Sequence, residues 1–189
     1  EISLGLVGSE MCIRDSKKIK PEYSLCINTL IWKGCNAMVL KEKERSVIED
    51  LQNQEKSCME KYAKYAGLAK DPELKALFKE LHKQEQKHYD SLGQVLSGTV
   101  PDCDCNDSAG KDYSPKATYN DMTSSDDKQN DAFLATDCIG TEKLVSGEYN
   151  SDVFAFGKSN IRKLLADIQI EEQNHAEMLY KYKTANGMA

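Results

Sequence analysis

Long apolar runs are missing from this 189-residue chain: no stretch approaches the ~20 consecutive apolar residues that a membrane-spanning helix needs. Basic clusters are missing too. With 31 acidic against 25 basic side chains the formal net charge is −6. Lys and Arg are dispersed, which argues against nucleic acid as a partner, because neutralising phosphates takes concentrated positive charge. Proline is scarce (4) and glycine modest (11), too few turn formers for a β-sandwich and compatible with long helices. The 7 cysteines are odd in number, scattered and without the spacing of secreted domains, so no disulfide framework is expected. What is present is a chain 40% hydrophobic and 30% charged with a mean hydropathy of −0.62, the balance of one globular domain.

The first 37 residues stand apart. Residues 3–16, SLGLVGSEMCIRDS, carry neither helical nor alternating apolar spacing and resemble translated read-through of a sequencing adapter. Residues 17–37 hold a ten-residue apolar-leaning run, Tyr23 to Trp32. Lys17, Lys18 and Lys20 ahead of that run also fit a secretory signal, but the run is short, broken by Asn28 and followed by no small-residue cleavage pattern. The expectation is a disordered leader over 1–37, with Met38 as the true start and a single domain over 38–189.

From Glu42 onward the apolar spacing is helical. One stripe runs Ile48, Leu51, Cys58, Tyr62, Ala66 and Ala69; Gly67 and Asp71-Pro72 mark a turn, Pro72 suiting the first position of a new helix. A second runs Leu74, Leu77, Leu81, Leu92 and Val95 and stops at Gly98. A third holds Ala135, Cys138, Val145, Tyr149, Val153 and Phe156, stopping near Gly157; a fourth holds Ile161, Leu164, Leu165, Ile168, Leu179 and Tyr182, closing near Gly187. These spacings predict four helices, each ~37 Å long at 1.5 Å per residue, paired as ~42–97 and ~131–185. The polar segment ~98–130 has no periodicity. A loop that long counts against most assignments but is what a bundle with one long crossover between helices 2 and 3 requires.

Sliding the chain by 87 residues aligns 51–92 with 138–179 without a gap, and eight of the 42 pairs are identical. Among them are Glu55/Glu142, Glu85/Glu172, His88/His175 and Tyr62/Tyr149. The acids and histidines recur where they interrupt the apolar stripes. Glu55 falls between Leu51 and Cys58, and Glu142 between Cys138 and Val145. Glu85 and His88 fall between Leu81 and Leu92, and Glu172 and His175 between Ile168 and Leu179. Each Glu-x-x-His pair points both side chains the same way, so four helices aim four carboxylates and two imidazoles at one interior level. A lone Glu-x-x-His is weak, and a single histidine on an apolar face is more often a satisfied core residue. Glu beside Lys56 or Lys143 also suits a surface ion pair. Such readings must account for all six residues at once, in duplicate. His82 and Glu60 lie off the stripes and are ordinary.

Four ionised carboxylates in a low-dielectric core repel one another and pay for desolvation. Two divalent cations bring four positive charges, and oxygen plus imidazole donors without thiolate suit iron, manganese or zinc rather than copper(I) or an iron–sulfur cluster. The six residues are therefore candidate metal ligands. Tyr62 and Tyr149, two turns beyond Glu55 and Glu142, either donate hydrogen bonds to the ligands or pack in the core with their hydroxyls at its edge. Asp102-Cys-Asp-Cys-Asn-Asp107 reads as a solvated loop, with metal binding or cross-linking as the alternative.

This constellation resembles the ferritin-like di-iron carboxylate proteins, in which one helix pair supplies Glu and Glu-x-x-His and the second repeats it; the match covers 42–183. The Glu seven residues before Tyr in helices 1 and 3 is similar to the ferritin-like half of rubrerythrin. The two Cys-x-x-Cys knuckles of that family's rubredoxin iron are missing, since Cys103-x-Cys105 is one pair with the wrong spacing. Thr141-Glu-Lys, Tyr149-Asn150 and Glu171-Glu-Gln-Asn-His175 resemble the spore coat protein F family of endospore-forming Firmicutes. The resemblances imply an all-α, ferritin-like four-helix bundle with two divalent metal ions, made in the mother-cell cytoplasm and laid on the spore with other spore coat proteins, a homodimer being possible. They also imply an alternative, an oxidoreductase in which ferrous iron reduces peroxide or oxygen with electrons from a separate donor. A second alternative is a metal-free structural coat component.

Overall fold

The computed structural model describes residues 38–103, 107–119 and 124–189; the leader expected over 1–37 and Cys105 lie outside the described residues. These fold as helices with no strand among them: α1 Glu42–Leu68, α2 Pro72–Leu96, a single turn α3 Ala109–Asp112, α4 Asp126–Asp152 and α5 Ser159–Ala185, with a 3₁₀ turn Val153–Ala155 after α4.

Each start has a local cause. The Lys41 backbone N–H donates to the Glu44 carboxylate at 2.9 Å, closing the first turn of α1. Asp71 caps α2 by accepting from Glu73 N at 2.9 Å, with Pro72 as the first helical residue. Ser125 caps α4 by accepting from Lys128 N. That cap, with Asp126 and Asp127 in the first turn facing the positive end of the helix, begins α4 five residues before the position read from apolar spacing. The polar stretch hides it. The expected structureless crossover is likewise interrupted by α3. Gly98, at φ 92°, ends α2, and its carbonyl accepts from Met38 N at 3.1 Å.

The connection from α1 to α2 is so short that α2 must run back along α1, and the 3₁₀ turn does the same for α4 and α5. The apolar faces of both pairs meet in two clusters. One centres on Ile48, Leu51, Leu92, Val145, Ile161 and Leu165, the other on Tyr62, Leu74, Phe78, Leu81, Leu179 and Tyr182. Helices α2, α4 and α5 each pass from one cluster to the other through their acid or histidine positions, so a polar layer divides the core.

At one end the crossover is tied to the helices by buried polar groups. Asp131, fully buried, accepts from Lys70 N (2.9 Å), Asp71 N (2.8 Å) and Tyr119 Oη (2.8 Å). Asp71 accepts from Tyr182 Oη at 2.7 Å and from Thr118 Oγ1. Asn186 Oδ1, also fully buried, accepts from Thr118 N and Tyr119 N. Asp131→Ala removes the acceptor of two backbone donors and a phenol, of which the Asp71 N–H is buried, and a buried unsatisfied group costs about 1–3 kcal/mol. We expect it to lower stability by about 1–3 kcal/mol, read as the midpoint of urea unfolding.

Candidate metal centre

The six side chains singled out by the repeat converge in the polar layer. Glu55, Glu85 and Glu172 are fully buried, and Glu142, His88 and His175 nearly so. They fall into two overlapping groups, Glu55, Glu85, His88 and Glu172 on one side and Glu85, Glu142, Glu172 and His175 on the other. Within each group one donor atom per residue lies within 4.8 Å of all the others. Glu85 and Glu172 belong to both. His88 Nδ1 faces Glu172 Oε1 at 3.0 Å, Glu85 Oε2 at 3.3 Å and Glu55 Oε2 at 3.5 Å. His175 Nδ1 faces Glu85 Oε1 at 3.1 Å, Glu142 Oε2 at 3.5 Å and Glu172 Oε2 at 3.9 Å. The imidazoles stack at 5.7 Å between ring centroids, 18° from parallel.

The tyrosines cross over. Tyr62 on α1 donates to Glu142 Oε1 on α4, and Tyr149 on α4 donates to Glu55 Oε1 on α1. Each outer carboxylate thus gives one oxygen to a phenol and turns the other inward. Those inward atoms lack hydrogen bonds: Glu55 Oε2, Glu85 Oε1, Glu142 Oε2, both oxygens of Glu172 and His175 Nδ1. Buried polar atoms are almost always paired. Six such atoms face one another, and donors of these types, carboxylate oxygen and imidazole nitrogen, could hold divalent cations.

The cluster's electrostatics agree. Burial raises the Glu55 carboxyl to about 7, the charge of Glu85 adding to it and His88 opposing. Glu172 rises well above its ordinary range through burial and then the charges of Glu85 and Glu142. For Glu85 burial also works upward, but the imidazoles on either side outweigh it and hold the acid below its usual value. Burial works against protonated imidazole, yet the carboxylates prevail, His88 rising well above 6.5 and His175 to about 9. These directions favour uptake of protons by the cluster. Burial and neighbouring carboxylates push the Tyr62 and Tyr149 hydroxyls up, keeping them donors. The same causes push up the thiols of Cys58 and Cys138, which keeps them protonated.

Glu171 is absent from the set read off the sequence. It lies off the apolar stripe, yet its Oε2 meets His88 Nε2 at 2.5 Å. The available signal is its repeat partner, Gln84, an ionisable residue opposed by a neutral one. His82, off the stripe as expected, meets the Met59 carbonyl at 2.9 Å through Nδ1. A cavity of about 580 Å³ between α2, α5 and the crossover reaches His88 and Glu171, and one of about 330 Å³ reaches His175 and Glu171.

Against known proteins, the family model described as Coat F domain matches residues 130–189, which is α5 and all but the first turn of α4. No curated protein matches the chain, and no solved structure does. Similarity to the Coat F domain thus covers the second helix pair and, with it, Glu142, Glu172 and His175.

Proposed function

We propose that the chain is a ferritin-like four-helix bundle built around two divalent cations, iron first with manganese or zinc as substitutes, and that it serves as a spore-coat component. Glu55 and His88 would help hold one ion and Glu142 and His175 the other, with Glu85 and Glu172, which belong to both groups, serving each. The observation that carries this reading is the set of buried inward-facing atoms without hydrogen bonds. The coat context rests on the Coat F similarity over 130–189.

An oxidoreductase reading is favoured by one further observation, the cavities that bring solvent-sized molecules to His88 and His175. Ferrous ions bound there would supply one electron each to a small oxidant, so that peroxide and two protons yield two waters. The chain's own part is to hold the donors in place. Tyr62 and Tyr149 fix the outer carboxylates, each through the oxygen turned away from the centre. The apolar clusters above and below exclude bulk water, and low dielectric strengthens each charge interaction.

Tyr62→Phe and Tyr149→Phe free Glu142 and Glu55 respectively. Each is expected to weaken one of the two cation positions 10–100-fold, measured by competition with a chromophoric chelator. To separate the enzyme from the coat component, protein loaded anaerobically with ferrous iron is mixed with peroxide, and near-ultraviolet absorbance is followed. Oxidation much faster than that of free ferrous iron supports the enzyme. A rate equal to free iron, with the metal still bound, leaves the cations a purely structural part.

A further inference from the structure

We propose that Glu171 is a positioning residue that makes the two cation positions unequal, the His88 side binding the tighter ion. This rests on the two-cation reading above.

The repeat makes the two halves chemically equivalent in every ligand, pairing Glu55, Glu85 and His88 with Glu142, Glu172 and His175. It breaks one residue before Glu85 and Glu172, the acids common to both groups. Glu171, just ahead of Glu172 on α5, reaches across to α2 and accepts from His88 Nε2. Its counterpart Gln84, just ahead of Glu85 on α2, lines the same cavity as His175 but commits its amide to Glu80 Oε1 at 2.9 Å. Among the described residues no carboxylate oxygen comes within 4.0 Å of His175 Nε2; the ion pairs of that ring are all through Nδ1.

The consequence follows from imidazole chemistry. A carboxylate on Nε2 keeps the proton on that nitrogen, so that Nδ1, which faces Glu55, Glu85 and Glu172, is the one to exchange its proton for a cation; it also locks the ring plane and makes Nδ1 a stronger donor. His175 must adopt the same tautomer without that support. Glu171 is only partly buried, at 29% side-chain exposure, and lines the cavity of about 580 Å³. Both histidines border a cavity that Glu171 lines, so the two sides differ in the carboxylate on Nε2 and not in access.

The test is titration of metal-free full-length protein with cobalt(II) alone, followed by visible absorbance and calorimetry. The wild type is expected to take two ions in two steps at least tenfold apart in affinity. Glu171→Gln is expected to keep a stoichiometry of two while weakening the first step 10–100-fold, so that the steps merge; Glu171→Asp should restore part of the separation. Gln84→Glu is expected to narrow the gap from the other side by tightening the second step. A proton resonance of the His88 ring N–H, shifted far downfield in the wild type and absent in Glu171→Gln, reports the hydrogen bond independently of folding stability. Two equal steps in the wild type, or unchanged steps in Glu171→Gln, would overturn this inference and leave the two-cation reading standing. A wild type that binds no cobalt would overturn both.

Discussion

Replacing the two shared carboxylates, Glu85→Gln with Glu172→Gln, is expected to abolish binding of both cations together. These residues are the only ones common to both donor groups, and each amide presents one oxygen without charge where a carboxylate presents two. The wild type is expected to gain about 4 kcal/mol from a cation held at a thousand times its dissociation constant, a rise of about 10 °C in melting temperature for a chain of this size. The double variant is expected to melt at the same temperature with and without the cation. Changing only Glu60, which lies off the donor groups, should leave the cation-induced rise intact. If the double variant keeps the full rise, the ions bind elsewhere.

The second large effect is on pH. The cluster is expected to keep protons that the unfolded chain would release: Glu55 is raised from 4.5 to about 7 and His175 from 6.5 to about 9, with Glu172 and His88 raised as well. A group raised in the folded state adds stability that is fully present below its unfolded value and lost as pH climbs through its folded one. For Glu55 that window runs from 4.5 to about 7, and for His175 from 6.5 to about 9. Glu85, held low, contributes in the opposite sense, its share being lost only in strong acid. Metal-free protein is therefore expected to be most stable in mild acid and to lose a few kcal/mol between pH 6 and pH 9, since a tenfold change in proton affinity is worth about 1.4 kcal/mol. On the proposed two-cation reading the ions would replace the protons, so the loaded protein should lose much less, and the gap between the two should widen with pH. Melting temperatures with a chelator and with saturating manganese, from pH 5 to pH 9, measure both curves. Chelated protein as stable at pH 9 as at pH 6 would show that the cluster does not hold these protons.

Much of the architecture can be read from spacing because burial and periodicity coincide. Ile48, Leu51, Leu81, Leu92, Val145, Ile161 and Leu165, all stripe positions, are fully buried or within 1% of it. Phe78 and Leu134 are equally core residues but fall outside the stripes. Phe78 follows Leu77, so the step is ambiguous, and Leu134 follows Phe133, an exposed phenylalanine on a helix that also exposes Leu144. The α3 turn cannot be read from the sequence, because its cause is tertiary. Gly110 N donates to Asn174 Oδ1, and a Cβ at Gly110 would come within 2.8 Å of that atom. Nor can the network of Asp71, Asp131 and Asn186, whose partners are mostly backbone groups and side chains distant in sequence. The six acid and histidine positions are legible because each interrupts an apolar stripe and recurs at the same offset. Glu171 is not, since its repeat partner is Gln84 rather than an acid, and only the fold brings it to His88.

The most direct measurement is elemental analysis of the wild-type chain, loaded anaerobically with ferrous iron and desalted. Two ions per chain, falling to none in Glu85→Gln with Glu172→Gln while helical content is unchanged, is the predicted result. A wild type that emerges with no bound metal would contradict the account at its centre.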